Sequence, residues 1–153
     1  MKTASAKLVL LDTNVLLALA WPNHQFYAAA TNFMEAFRGK WATCAITEIG
    51  FIHLSTNALV VGLQKSPQEA SNVLAQMTAD PHHRFVGTMP SPVGPEWKGI
   101  WGRIQGTKQV TDAYLLALAI ENRARLVTFD GRLSILGTPK DIEVLTSKSQ
   151  FGD

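Results

Sequence analysis

The chain has 153 residues, of which 46% are hydrophobic and 17% are charged, and its formal net charge is +2 at pH 7. This length and composition are typical of a folded globular domain and exclude an intrinsically disordered chain. The single cysteine, Cys44, excludes a disulfide framework and a zinc site built from several cysteines.

The distribution of apolar residues predicts one domain over residues 1–153, with residues 146–153 as a loose C-terminal tail. No apolar run reaches the roughly 20 residues that a membrane-spanning helix needs. Asp12 interrupts the N-terminal apolar run too early for a signal peptide. We therefore expect a cytoplasmic protein that makes no contact with a membrane.

Strand-like and helix-like segments alternate along the chain. In chain order, the periodicity predicts strand 7–11, helix 14–21, helix 24–38, strand 40–45, a helix from residue 47, helix 66–78, strand 84–87, a short helix at 96–104, helix 112–122, strand 125–129 and strand 142–145. This alternation predicts an α/β fold: a three-layer α/β/α sandwich around a mostly parallel central sheet.

Three of these helices have recognisable start signals. Thr47 and Thr111 precede apolar helical segments and are the expected N-caps. Ser66 and Glu69 have the spacing of a capping box, with Pro67 at the first helical position. We expect each of these helices to begin directly after its cap.

Four acidic residues lie where apolar strands end or helices begin: Asp12, Glu48, Asp112 and Asp130. The carboxyl ends of parallel strands share one edge of a sheet, so these side chains are expected to meet there. Carboxylates packed closely repel one another unless they are protonated or a cation is bound. The pattern therefore predicts a site for a hard divalent cation, Mg²⁺ or Mn²⁺.

Each acid also has a purely structural explanation when it is taken alone. Asp12 can cap a helix, and Asp130 precedes glycine in a common turn pair. Glu48 and Asp112 lie in first helical turns, where a negative charge favours the helix dipole. Four such coincidences together are much rarer than any one of them, which favours a shared function.

Four segments of the chain resemble, in order, the successive motifs of a known family. The segments LLDTNVLLALAW, TEIGFIHL, VTDAYLLALA and LVTFDGRL are similar to those of the PIN domain, in particular to the VapC-type toxins of bacterial toxin–antitoxin pairs. The resemblance runs from Leu8 to about Leu145 and implies Mg²⁺- or Mn²⁺-dependent cleavage of RNA. It also implies a homodimer and a cognate antitoxin whose C-terminal segment occupies or covers the acidic groove.

The resemblance assigns the metal ligands to the four acids and gives supporting roles to nearby residues. Asn14, Thr128 and Thr13 are predicted to orient the carboxylates or to bind water. His53 stands where many relatives carry arginine, which leaves its contact with phosphate open. The candidate RNA contacts are His53, Lys108 and Arg132.

Several histidine and tryptophan residues have a structural interpretation that we favour over a functional one. His82 and His83 have no third metal ligand at a suitable spacing, so we expect them in a solvated loop. Trp21, Trp97 and Trp101 could stack on RNA bases, but packing in the core or against a partner is the favoured interpretation. The apolar faces of the helix at residues 24–38 and of the segment EWKGIW indicate a surface for a subunit or partner.

Two competing classes of function remain open at this point. A PIN-like scaffold could hold RNA or a protein without cutting it, although the intact acids argue against this. A receiver-like or phosphatase-like protein would need a second acid beside Asp12, and the segment LLDTN lacks one. The favoured hypothesis is a metal-dependent endoribonuclease.

Overall fold

A five-stranded parallel sheet forms the centre of the protein, seen in a computed structural model that describes residues 7–104, 106 and 109–147. The strands are β1 (Leu8–Leu11), β2 (Lys40–Cys44), β3 (His83–Val86), β4 (Arg125–Thr128) and β5 (Ile142–Val144). Their order is β3-β2-β1-β4-β5, and every pair is parallel. The predicted α/β fold with a parallel sheet is confirmed.

Seven α-helices connect these strands within the described residues. They are α1 (Thr13–Ala20), α2 (Tyr27–Ala36), α3 (Ala45–Ser55), α4 (Ala58–Val61), α5 (Pro67–Thr78), α6 (Lys98–Trp101) and α7 (Val110–Glu121). Short 3₁₀ helices cover Pro95–Trp97 and Gly131–Ile135. None of the described helices is both long enough and apolar enough to cross a membrane.

The side chains of the central strands alternate between two cores, which makes the fold three-layered. Leu10 and Leu126 pack against the helix α7 on one side of the sheet. Val9, Leu11 and Val127 pack on the other side with residues of α1, α3 and α5. Burial on both faces is typical of the middle strands of a parallel sheet, and it explains why these strands read as continuous apolar runs.

The structure confirms one predicted helix start and corrects two others. Ser66 and Glu69 form the capping box, with the Ser66 N–H donating to Glu69 Oε1 at 2.8 Å. Thr47 is not an N-cap: α3 begins at Ala45 directly after β2, so Cys44 takes that position. The helix α7 begins one residue before Thr111, and Gln109 is its N-cap.

Other differences concern short segments. The helix α4 was missed, although Asn57 caps it by accepting from the Leu59 N–H at 2.9 Å. The segment after Asp130, expected as a simple turn, forms a 3₁₀ helix. Four-residue helices bury too little surface to leave a periodic signal in the sequence. Residues 148–153 of the predicted tail lie outside the described residues.

Candidate active site

The acidic residues lie around the point where the strand order reverses. The chain moves from β1 to β2 and β3 on one side and then returns to place β4 on the other side of β1. Asp12 follows the last residue of β1, and Asp130 comes two residues after β4. Ligands of open α/β sheets bind outside the carboxyl ends of the strands at such a switch point.

Asp12 is the most constrained of the acids. It caps α1, with Oδ1 accepting from the Thr13 N–H at 2.8 Å, while Oδ2 accepts from the Thr128 hydroxyl at 2.7 Å. Only 7% of Asp12 is exposed, and this burial raises the pKa of its carboxyl against the opposing effect of the two hydrogen bonds. Asp12 therefore has both the structural role of a cap and the position of a site residue.

A partly buried network around the Thr128 hydroxyl holds Asp12 in place. Besides donating to Asp12, this oxygen accepts from Asn14 Nδ2 at 3.2 Å and from the Asp130 N–H at 3.0 Å. Asn14 Oδ1 in turn accepts from the Phe129 N–H at 3.1 Å. The structure thus places Asn14 and Thr128, both predicted to orient the carboxylates, in one connected network with Asp12 and Asp130.

Thr13 occupies a different position. Its hydroxyl lies 3.5 Å from the Thr47 carbonyl oxygen, which joins α1 to α3. A Cβ at Gly50 would lie 2.7 Å from Thr13 Oγ1, so the close approach of the two helices requires glycine at position 50. Thr13 reaches Asp12 through its backbone N–H rather than through its side chain.

Asp112 and Asp130 complete an electrostatically coupled group with Asp12. Burial and the negative charges of Asp12 and Asp130 raise the pKa of Asp112 to about 6. Asp130 forms two hydrogen bonds with Arg132, at 3.0 Å to Nε and 2.8 Å to Nη2, and these lower the pKa of Asp130. We call Asp12, Asp112 and Asp130 the aspartate cluster.

The Glu48 carboxylate has a different hydrogen-bond partner from that of Asp12. Its Oε2 accepts from the Thr43 hydroxyl at 2.7 Å, and the same hydroxyl oxygen lies 2.8 Å from His83 Nε2. Within the described part of the chain, no three His, Cys, Asp or Glu side chains converge closely enough to hold a metal ion. The four acids therefore lie at one edge of the fold without forming a closed ligand set.

His83 is a residue that the sequence analysis placed wrongly. Instead of lying in a solvated loop, it begins β3, is half-buried, and packs its ring against Trp41 with centroids 4.6 Å apart. Burial lowers its pKa, while the charge of Glu48 opposes this shift. His82 is exposed, as expected, and pairs with Asp80 at 3.2 Å.

The candidate RNA contacts are dispersed. His53 is exposed near the end of α3, and Arg132 is exposed but paired with Asp130. Lys108 lies outside the described residues. These three assignments remain predictions.

The tryptophans pack inside the protein, as favoured. Trp21 and Trp97 are only 7% and 2% exposed, so their faces are not available to RNA bases. Trp101 is half-buried and donates its indole N–H to the Pro92 carbonyl at 2.7 Å.

The exposed apolar surface is not the face expected from the sequence. The phenylalanines of residues 24–38 are half-buried and pack against the core: Phe26, Phe33 and Phe37. Larger exposed fractions occur on α3, on α4 and just after α4, where Ile49, Leu59 and Leu63 are 67%, 96% and 60% exposed. Val93 and Ile135, on other parts of the surface, are also strongly exposed, at 87% and 78%.

Comparison with known proteins identifies the family. The model of the PIN domain matches residues 9–138. The chain therefore belongs to the PIN domain family. Within it the chain is of the VapC type: it is 40% identical to Ribonuclease VapC39 of Mycobacterium tuberculosis over 138 residues, covering 89% of this chain and 98% of that protein. It is also 39% identical to Ribonuclease VapC38 of the same species over 143 residues, covering 91% and 99%.

Two solved structures share the fold at low sequence identity. Mycobacterium tuberculosis VapC20, a sarcin-ricin loop cleaving toxin, superposes with a TM-score of 0.67 at 13% identity, covering 90% of this chain and 99% of that chain. VapBC2 from Rickettsia felis, bound to a DNA fragment from their promoter, gives a TM-score of 0.63 at 14% identity, covering 91% and 99%. These similarities support the α/β/α architecture.

Proposed function

We propose that this protein is a metal-dependent endoribonuclease that acts as the toxin of a toxin–antitoxin pair. The observation that carries the proposal is the aspartate cluster, in which Asp12 and Asp130 follow β1 and β4 and Asp112 lies in the first turn of α7. Burial, together with the negative charges of Asp12 and Asp130, raises the pKa of Asp112 to about 6. The identity to the VapC38 and VapC39 ribonucleases over most of the chain supports RNA as the substrate.

The residues of the site fit Mg²⁺ or Mn²⁺ in donor chemistry and in charge. Every candidate ligand is a carboxylate, which is the donor type that hard divalent cations prefer. Asp112 experiences the negative charges of both other aspartates, and a bound cation would relieve this repulsion. The aspartate cluster together with Glu48 would therefore hold the ion.

Two of the candidate ligands, Asp130 and Glu48, already make hydrogen bonds within the protein. The Asp130 carboxylate already makes two hydrogen bonds with the Arg132 guanidinium. An ion that uses Asp130 would compete with Arg132 for the same oxygens. Glu48 already accepts a hydrogen bond through Oε2, so its contribution to metal binding depends on how that bond positions the carboxylate.

The protein's own residues would serve to orient the reaction. A divalent ion held by these carboxylates would supply a more acidic water as nucleophile and would stabilise charge on a phosphoryl oxygen. Thr128 and the Thr13 N–H hold both oxygens of Asp12 in fixed directions, at 2.7 Å and 2.8 Å. Asn14 fixes the Thr128 hydroxyl, so the orientation of Asp12 is determined before substrate arrives.

We further propose a homodimer and a cognate antitoxin as protein partners. The exposed side chains of Ile49, Leu59 and Leu63 on and beside α3 and α4 support a surface that a partner covers. Ile49 directly follows Glu48 in α3, so an antitoxin on this surface would lie beside the acidic edge. The structural similarity to VapBC2 from Rickettsia felis supports a paired assembly for a protein of this fold.

The decisive experiment is a cleavage assay with purified, antitoxin-free protein and total cellular RNA. Reactions with Mg²⁺, Mn²⁺ and EDTA are compared with the Asp12→Asn variant, and new RNA ends are mapped by sequencing. Asparagine can still cap α1 but removes the charge, so we expect cleavage to fall by more than about a hundred-fold. Glu121→Gln, an exposed change at the end of α7, is the matched control.

The second candidate function is a non-catalytic module that binds RNA or protein, and one observation favours it. The described acids do not form a closed ligand set. RNA binding that is equal with and without metal, with no cleavage in any reaction, would support this candidate. Metal-dependent cleavage that persists in Asp12→Asn would reject the proposed site.

A further inference from the structure

Glu48 belongs to a hydrogen-bonded row of three side chains that come from three different elements. Thr43 lies one residue before the end of β2, Glu48 lies in the first turn of α3, and His83 begins β3. Thr43 Oγ1 is 2.7 Å from Glu48 Oε2 and 2.8 Å from His83 Nε2. We propose that Thr43 and His83 are positioning residues that fix the Glu48 carboxylate for metal binding.

The number of available protons determines the direction of both hydrogen bonds. A threonine hydroxyl carries one proton, and an ionised carboxylate can only accept. The Thr43 proton must therefore point to Glu48, and His83 Nε2 must carry a proton that it donates to Thr43 Oγ1. His83 thus directs the hydroxyl toward Glu48.

Thr43 and His83 are themselves held in place by the sheet. Thr43 is fully buried, and a buried hydroxyl needs partners because an unpaired one is costly. Residues Trp41 and His83 are register partners of the paired strands β2 and β3, and their rings pack with centroids 4.6 Å apart. The sheet therefore fixes His83, His83 fixes the hydroxyl, and the hydroxyl restricts the carboxylate.

This restriction matters because a glutamate side chain is flexible. A free glutamate loses much rotamer freedom when a ligand orders it, which weakens binding. Among the described residues, the hydrogen bond of the Glu48 side chain uses Oε2 and leaves Oε1 for a ligand. Groups that hydrogen-bond a ligating carboxylate typically change metal affinity by about 10–100-fold when they are removed.

The inference rests on the proposed function, so its test must separate the two. Mn²⁺ binding to the metal-free protein is measured by electron paramagnetic resonance, without RNA. Asp12→Asn and Glu48→Gln test the metal site, whereas Thr43→Val removes the hydroxyl at nearly constant volume. Thr43→Ser keeps the hydroxyl and should restore binding.

A matched pair of variants tests His83. His83→Phe keeps an aromatic ring against Trp41 but removes the donor, whereas His83→Gln loses the ring and keeps an amide N–H near the position of Nε2. Ring packing and hydrogen bonding are thereby separated. A long-range ¹H–¹⁵N spectrum of wild-type protein should also show a proton on His83 Nε2.

The expected result is a graded loss of Mn²⁺ affinity. Thr43→Val should weaken binding about ten-fold, and His83→Phe should weaken it less because the hydroxyl can still reach Glu48. Thr43→Ser and His83→Gln should stay within about two-fold of wild type. In cleavage assays, Thr43→Val should need more Mn²⁺ for half-maximal rate yet approach the wild-type rate at saturation.

The contrary outcomes are distinct. Wild-type Mn²⁺ affinity in Thr43→Val beside weakened binding in Glu48→Gln would overturn the positioning role and leave the metal site intact. Equal losses in Thr43→Val and Thr43→Ser would also overturn it, because the hydroxyl would not be responsible. Unchanged binding in both Asp12→Asn and Glu48→Gln would reject the metal site itself.

Discussion

Two buried threonines hold acidic residues on neighbouring parts of the sheet, and they do so in different ways. Thr128 ends β4 and Thr43 lies near the end of β2, and each donates to a carboxylate at 2.7 Å. The Thr128 hydroxyl also accepts from Asn14 and from the Asp130 N–H, so it serves three groups. The Thr43 hydroxyl joins only Glu48 and His83 among the described residues.

The difference indicates that substitutions beside Asp12 and substitutions beside Glu48 should have different consequences. Asp12 is buried just beyond the end of β1, the middle strand, where an ionised carboxylate needs hydrogen bonds to offset lost hydration. Glu48 is half-buried beside the edge strand β3 and can exchange its hydrogen bond for water. Damage beside Asp12 should therefore reduce folding stability, whereas damage beside Glu48 should mainly reduce ligand affinity.

Thr128→Val should give the largest change in the free energy of unfolding. It removes the partner of Asp12 Oδ2, Asn14 Nδ2 and the Asp130 N–H at once, so we expect a loss of about 3 kcal/mol. Chemical denaturation of the metal-free protein measures this loss, and Thr128→Ser is the control that keeps the hydroxyl. A loss in Thr128→Val no larger than in Thr43→Val would contradict the comparison.

Metal binding should stabilise the folded protein by a similar amount. At a Mn²⁺ concentration about 100 times the dissociation constant, the gain in unfolding free energy should be roughly 2.7 kcal/mol. Thermal unfolding with Mn²⁺ and then with EDTA measures it. Asp12→Asn should remove the gain without lowering the stability of the metal-free protein, because it also removes a buried charge. A metal-free Asp12→Asn protein that unfolds readily would instead assign Asp12 a mainly structural role.

Asp112 should give the metal-free protein a pH-dependent stability. Its pKa is raised from 3.8 to about 6, so the folded chain binds this proton more tightly than the unfolded chain does. The resulting stability is complete below the unfolded pKa and is lost as the pH rises through about 6. Allowing for solvent screening of a half-buried group, we expect a contribution of about 1 kcal/mol.

Denaturation in EDTA at pH values on both sides of this range tests the effect. The Asp112→Asn variant lacks the titrating carboxyl, so its free energy of unfolding should fall less than that of wild type as the pH rises through about 6. The comparison with wild type isolates Asp112 from Asp12, whose pKa is also raised, and from Asp130, whose pKa is lowered. A wild-type protein that becomes more stable over the same rise in pH would show that the aspartates are not coupled in this way.

Arg132→Gln should have the smallest effect. Arg132 is exposed and pairs with Asp130 at the rim, so its removal should leave folding unchanged. Because Asp130 would be free of the guanidinium, Mn²⁺ should bind slightly more tightly. Weaker RNA binding with unchanged Mn²⁺ affinity would instead favour the RNA contact predicted from the sequence. RNA binding is measured by a filter-binding assay.

Much of the fold was predictable from the sequence because its signals are local. Apolar runs marked the central strands, and the capping box of Ser66 and Glu69 marked a helix start. Asp12 was recognised both as an N-cap candidate and as a site residue, and the structure supports its capping role. The predicted N-caps of α3 and α7 were wrong by three and two residues, since Thr47 and Thr111 lie within the first turns of the helices they were expected to cap.

The sequence by itself determined the parallel sheet and picked out four acids at strand ends and helix starts, because strand burial and element ends leave a direct pattern in the chain. Only the tertiary structure decided that Glu48 bonds to Thr43, whereas Asp12 bonds to Thr128, and that His83 contacts the same Thr43 hydroxyl. Thr43 and His83 are forty residues apart, and their contact depends on the pairing of β2 with β3. Such a contact arises from the alignment of two strands, which no local periodicity records.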